Sequence, residues 1–295
     1  MAISTYTPID LSALPAPSVV EALSFETILA AMVADLQARD STFTAMVESD
    51  PAYKILQVCA YRELIIRQRV NDSAKAVMLA YAVGSDLDQL GGLMGVTRKT
   101  LVPADPEALP PVEAVMEADA DLRRRIQLSV EGLSTAGPIG SYIYHALSVT
   151  GVKDVAVNNP SAGVVQVIVL ADRATGVPTT AELDAVSAAL NAEDIRPLTD
   201  TVQVQAVSVV NYTVTATIYV SVGPDAATVL ANCNASIAAY TAAQFRIDAD
   251  INLSGIYSAL HIEGVNKVVL ASPTANLSVS SLQAARCTAI TLTLG

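Results

Sequence analysis

Four prolines, Pro103, Pro106, Pro110 and Pro111, interleave with Asp105, Glu107 and Glu113 in one short stretch of this chain. A proline has no backbone N–H and holds φ near about −65°, so residues 100–115 suit neither a helix interior nor a central strand. The chain must divide there. We expect a linker at 100–116, a helical region at 1–99 before it, and two α+β domains at 117–209 and 210–295 after it.

The first region has helical periodicity. Ser18 and Glu21 stand in the S-x-x-E arrangement of a capping box, which predicts a helix from Val19 into the late thirties. Asp50 followed by Pro51 marks a second start, because proline's missing N–H is no loss at the first helical position. From there Ile55, Cys59, Ile66, Val70, Val77 and Tyr81 recur at intervals of four and seven, a stripe that predicts one long helix ending at Gly84. Glu63 and Arg67, four apart, would pair on its flank. Asp86 would then cap a short helix with Leu87, Leu90 and Met94 or Leu93 on one face, closed by Gly95, with Asp86 and Asp88 as cap and surface charges. Long striped helices pack along other helices, either within the chain or in another subunit.

Beyond the prolines the texture changes. Strand-like runs fall at 164–170, 202–208 and 214–220, Thr179 and Glu182 repeat the capping-box pattern before a helix reaching Asn191, and an Ala-rich helix is expected from Asp225 to Ala243. The segment at 141–155 also aligns with 254–268, an offset of 113 residues. Identities fall at Ile143/Ile256, Tyr144/Tyr257, Ala146/Ala259, Leu147/Leu260, Gly151/Gly264, Val152/Val265 and Val155/Val268. The pattern is an apolar helix face, a terminating glycine and a strand, which predicts two related α+β units, each a small sheet with helices on one side.

The chemistry is sparse. His145 and His261 each sit in a helical pattern without ligand-spaced acids or cysteines, and the glycine and nucleophile motifs of nucleotide-binding and hydrolytic sites are absent. Glu117, Asp119 and Asp121 are the closest approach to a metal site, but Leu122 and Arg123 follow where a calcium loop needs its glycine. They read better as acids at a helix N-terminus, with Arg123, Arg124 and Arg125 as a charged helix start. No metal and no cofactor is expected. Cys59, Cys233 and Cys287 are odd in number with no CxxC pair, which fits a reducing compartment. A net charge of −12 disfavours nucleic acid. No apolar run approaches the roughly 20 residues of a membrane span, and the first basic residue is Arg39, so no secretory leader is expected.

The chain is 52% hydrophobic but only 16% charged, more apolar than a solitary soluble protein needs, and leftover apolar surface marks partner contacts. An enzyme is not expected. The surplus favours a subunit of an assembly; the competing classes are a protein-interaction module outside any such assembly and a hydrolase with a cleft between the two α+β domains. With no Trp and three Phe, the chain lacks the aromatic platforms a carbohydrate cleft would use.

An ordered series of motifs carries a family resemblance: LPAP at 14–17, FETIL at 25–29, AYREL at 60–64, RQRVN at 67–71 and AVMLA at 76–80. It continues through LDQLGGLMG at 87–95 with Arg98, Pro110 and Pro111, VME at 115–117 with Asp119 and Arg123, GLS at 132–134, and ALHIEGV at 259–265. Over nearly its whole length the chain resembles the baseplate J proteins of contractile-tailed phages and R-type tail-like bacteriocins. The resemblance implies a wedge subunit of the baseplate, made in the bacterial cytoplasm and kept in the virion or tail-like particle. Its implied partners are a second copy of the chain, a tail protein I-like subunit, a W-like sheath initiator of lysozyme fold, and neighbouring wedges in a sixfold ring. The N-terminal helices would bundle within the wedge, with Ile66, Val70, Val77, Leu87, Leu90 and Arg98 as candidate interface residues, and the C-terminal domains would join the ring that transmits the trigger for sheath contraction.

Overall fold

A computed structural model describes residues 9–295 except Ala16, Thr44, Ala45, Thr135, Ala136, Gly137, Asp194, Leu198 and Pro224. The opening residues, and Ala16 of the LPAP motif, lie outside the described residues. The chain forms two compact units, Pro8–Arg98 and Lys99–Gly295. Among the described residues no helix is long and apolar enough to cross a membrane.

In the first unit, helix α1 (Phe25–Arg39) begins six residues later than the Ser18–Glu21 pattern predicts, and Ser24 is its cap, accepting from the Thr27 N–H. The reason lies 50 residues away. Asn71, 4% exposed, must satisfy both ends of its amide, and it does so on the Glu21 backbone, accepting from its N–H at 3.0 Å and donating to its carbonyl at 2.9 Å. Glu21 is thereby held outside any helix, and its carboxylate meets Arg67, which also pairs with Glu63.

Helix α2 (Pro51–Ala76) starts as the sequence predicts, with Asp50 accepting from the Ala52 N–H at 2.8 Å. It ends at Ala76 rather than Gly84, and Val77 and Tyr81 lie in the turns that follow. Gly84, with φ 53°, instead opens helix α3 (Gly84–Leu93), whose N-cap is Val83 with no side-chain cap from Asp86. The end of α3 is the expected one. Gly95 adopts φ 70°, its N–H donates to the Gly92 carbonyl and the Val96 N–H returns to the Gly91 carbonyl at 2.9 Å, the double closure that a left-handed glycine permits. Val96 is buried by this return, while Leu93 and Met94, expected beside Leu87, are exposed.

The second unit opens on a ribbon. Strands β1 (Thr100–Val102) and β2 (Val115–Met116) pair antiparallel, and Asp105 and Val112 exchange both backbone bonds farther along. The proline-rich stretch is therefore a two-stranded hairpin, which has only edges and so tolerates residues that a central strand would not.

Helices α4 (Asp119–Leu128) and α5 (Ile139–Ser148) follow, then β3 (Val152–Ser161), β4 (Val164–Ala171), α6 (Thr180–Leu190) and β5 (Thr201–Ala206). The predicted capping box of Thr179 and Glu182 is formed in both directions. The sheet runs β3-β4-β5, antiparallel then parallel. On its helical side Tyr142, Ile143, Leu147, Val186 and Leu190 pack with Val155, Val167 and Val169.

The chain then passes through Val207 into β6 (Ser208–Val220), followed by α7 (Ala226–Gln244), α8 (Leu253–Leu260), β7 (Val265–Ser272) and β8 (Gln283–Leu294). This sheet runs β7-β6-β8, again with one antiparallel and one parallel neighbour of the central strand. The internal repeat is realised in both domains as α5–Gly151–β3 and α8–Gly264–β7, with the glycines at φ 84° and 89°. The two domains share this unit and sheet layout but differ in chain order, since β3 and β4 form a hairpin whereas β6 precedes its repeat unit.

The two domains are joined through the second face of β4. Its Ile168 and Leu170 bury against Val207, Ile247 and Ala284, with Val209 and Phe245 at the margin, so the continuous apolar run of β4 is covered on both sides. A buried carboxylate completes the junction: Asp154 on β3 accepts from Arg124 of α4 at 2.6 Å and from the Ile247 N–H at 2.9 Å. Substituting Asp154→Ala would leave a half-buried guanidinium and a buried N–H without their acceptor. We predict a loss of roughly 2–4 kcal/mol in urea unfolding of the full chain, whereas a loss within about 0.5 kcal/mol would show the junction to be apolar alone.

Candidate functional site

The groups closest to a chemical site turn out to be structural. Glu117 does not wait for a metal: Arg125 grips it with two hydrogen bonds, Nε to Oε1 at 2.8 Å and Nη2 to Oε2 at 2.7 Å, and both side chains are buried. Asp121 pairs with Arg246, and Arg124 with Asp154. Asp119 and Asp121 stand in the first turn of α4, as a charged helix start requires, and the arginines follow that turn, with Arg124 and Arg125 turned to Asp154 and Glu117. Among the described residues no group of three or more His, Cys, Asp or Glu could hold a metal ion. His145 approaches the Gly132 carbonyl at 3.3 Å and the Tyr144 ring edge-on, and His261 is the exposed residue after α8.

Beside the Glu117–Arg125 pair lies a residue that belongs to no chemical motif of the sequence, Lys99. The Lys99 ammonium donates to the carbonyls of Leu147 and of Val149, the latter at 3.0 Å, at the C-terminal end of α5, where the helix dipole favours a cation. Burial, and then the nearby Arg125 charge, lower its pKa from 10.5 to about 8.

The two α+β domains do share a cleft, lined among others by Lys153, Asp172, Arg173, Phe245, Arg286 and Cys287. It presents one carboxylate and three cations, whereas glycoside hydrolysis uses a carboxyl pair.

The helical unit has a different character. Its α1–α2 core consists of buried Ile28, Leu29 and Ala60, with Phe25, Met32, Val33, Tyr53, Leu56 and Leu64 partly covered. The face of α2 that meets α1 is therefore the row through Tyr53, Leu56, Ala60 and Leu64, and the stripe that the sequence picks out lies elsewhere. Ile66, Val70 and Val77 are 64%, 57% and 71% exposed, and Ile55, Val58, Tyr61 and Ile65 are exposed as well. The other candidate interface residues sit differently. Leu87 is fully buried within the chain and Leu90 is half-buried. Arg98 reaches back over α3 to Asp88 at 2.7 Å and to the Gly84 carbonyl at 3.2 Å, its side chain 12% exposed. Asp88 is thus an ion-pair partner, and residues 84–98 form a helix tied at both ends.

Three family models match the chain: the Baseplate J-like N-terminal domain at residues 48–105, the central domain at 134–206 and the C-terminal domain at 212–293. Baseplate protein J of Escherichia phage P2 is 47% identical over 288 residues, covering 95% of each chain. A chain in the cryo-EM structure of the anti-feeding prophage baseplate, symmetrised sixfold, is similar over 92% of this chain and 54% of its own length, at 14% identity and a TM-score of 0.35.

The Lys99 environment predicts a pH signature. The folded chain releases this proton near pH 8 and the unfolded chain only near 10.5. Between those values the unfolded state holds more protons, so this lysine makes stability rise with pH. Comparing denaturation midpoints of the native chain and Lys99→Met from pH 8 to 10 should show that rise missing in the variant; parallel curves would contradict the assignment. With the motif series, the three domain matches and the phage P2 relative in agreement, the chain belongs to the baseplate J-like family.

Proposed function

We propose that this chain is a wedge subunit of the baseplate of a contractile phage tail or tail-like injection particle. Membership of the family makes it a structural baseplate component, located in the virion or particle and working among other baseplate subunits. The finer reading is that two copies join a tail protein I-like subunit in each wedge. The C-terminal domains then link wedges into a sixfold ring, and a W-like sheath initiator sits on that ring. Rearrangement of the ring would pass the trigger for contraction to the sheath, as bistable subunit interfaces do in other switching assemblies.

The observation that best supports this reading is the uncovered stripe of α2. Among the described residues the helical unit buries six apolar side chains and the other unit thirty-two. A long helix with Ile55, Ile66 and Val70 in water, in a unit with so small a core, is the free half of a helix bundle. Leu87, Leu90 and Arg98 serve that interface indirectly, by fixing the segment that follows the helix.

Substituting Ile66→Asp together with Val70→Asp places two charges on the stripe without touching the α1–α2 core. Co-expressed with the I-like subunit, the variant should lose at least about tenfold in co-purified partner while its far-ultraviolet circular dichroism is retained. Undiminished co-purification would refute bundling through this face.

A further inference from the structure

The second unit carries two surfaces that its own chain leaves unmatched. One is the cleft between the two α+β domains, about 480 Å³ in volume. Lys153, on its wall, lies over the Phe245 ring at 5.0 Å, and Arg286 faces the same space from β8. Among the described residues neither has a carboxylate partner. Six arginines of the chain, Arg67, Arg98, Arg124, Arg125, Arg173 and Arg246, are by contrast paired with acids. Asp172 supplies one negative charge to the rim and Arg173 is spent on Glu182, so the cleft remains positive in a chain whose net charge is −12.

The other surface is the β1–β2 ribbon. A two-stranded hairpin without a covering layer is marginal in water. Here Val102, Val112, Val115 and Met116 are all exposed, and Leu109 is 97% exposed. Glu107 and Glu113 are exposed too, and among the described residues neither carboxylate has a cation. The ribbon is thus acidic and apolar, and the cleft is basic with an aromatic wall.

We propose that the ribbon of one copy docks in the interdomain cleft of a second copy. Glu107 and Glu113 meet Lys153 and Arg286, and Leu109 enters against Phe245. The contact is head-to-tail, because ribbon and cleft are different surfaces of the same unit, and contacts of that kind generate rings when the rotation closes. The cleft has ample room for one leucine side chain, and two carboxylates set opposite two cations that have no acid of their own supply the complementary charge that fixes register. The proposal rests on the chain being present in several copies in its particle, and it involves none of the α2 stripe, so its failure and the failure of helix bundling are separable.

The test is a charge swap in the full chain, read by sedimentation equilibrium. Lys153→Glu with Arg286→Glu should weaken self-association about tenfold, as should Glu107→Lys with Glu113→Lys, and combining the two sets should restore most of the loss. Zero-length carbodiimide coupling of mixed isotope-labelled and unlabelled native chains should join Lys153 to Glu107 or Glu113 across labels. The proposal is overturned if the native chain stays monomeric, if either variant associates like the native chain, or if the combination stays weak. It is equally overturned if the first variant loses only a different baseplate subunit, which would make the cleft's occupant an acidic segment of that subunit.

Discussion

Apolar burial is divided very unequally along this chain, and most of its organisation follows from that. From Lys99 onward, among the described residues, helices and sheets close around two cores and a further cluster between them. Before Lys99, among the described residues, two helices share a core of three buried side chains, and a second apolar row of the longer one faces water. Conformational entropy is charged to every ordered residue alike, at roughly 1–2 kcal/mol each for the backbone, so a region with few buried contacts depends on contacts from elsewhere. A baseplate subunit is in a position to receive them.

The second unit behaves as one block because its two domains share more than a linker. β4 is apolar on both faces, one turned to its own helices and the other to Val207, Ile247 and Ala284. Asp154 adds direction to that packing, since it ties α4, β3 and the backbone at Ile247 to a single carboxylate. A block built this way transmits displacement instead of absorbing it.

What could be read from the sequence depended on how local its cause was. Thr179 and Glu182 cap their helix as predicted because both partners lie within one turn. Ser18 and Glu21 show the same spacing and do not, because Asn71 claims the Glu21 backbone from across the unit. The α5–Gly151–β3 and α8–Gly264–β7 repeat was legible, while the differing strand order around it was not, since pairing partners leave no mark at fixed spacing. Prolines told what residues 100–115 could not be, but a hairpin with only edges was compatible with all of them. The Glu117–Arg125 pair and the half-buried Lys99 leave no mark in the sequence, because each residue looks like an ordinary surface charge until the fold covers it. For the candidate interface, the stripe through Ile66 and Val70 was visible as periodicity, yet periodicity cannot say whether a row faces its own core or a partner. Packing of Tyr53, Leu56, Ala60 and Leu64 against α1 shows only that the stripe is not turned to its own core.

The central claim is that the helical unit completes its core only in the assembly. Amide hydrogen exchange of the full chain, alone and within purified particles, tests it directly. The account predicts fast exchange across residues 25–76 in the isolated chain and strong protection there in the particle, with β4 and β6 protected in both states. Equal protection of α1 and α2 in the isolated chain and in the particle would contradict it.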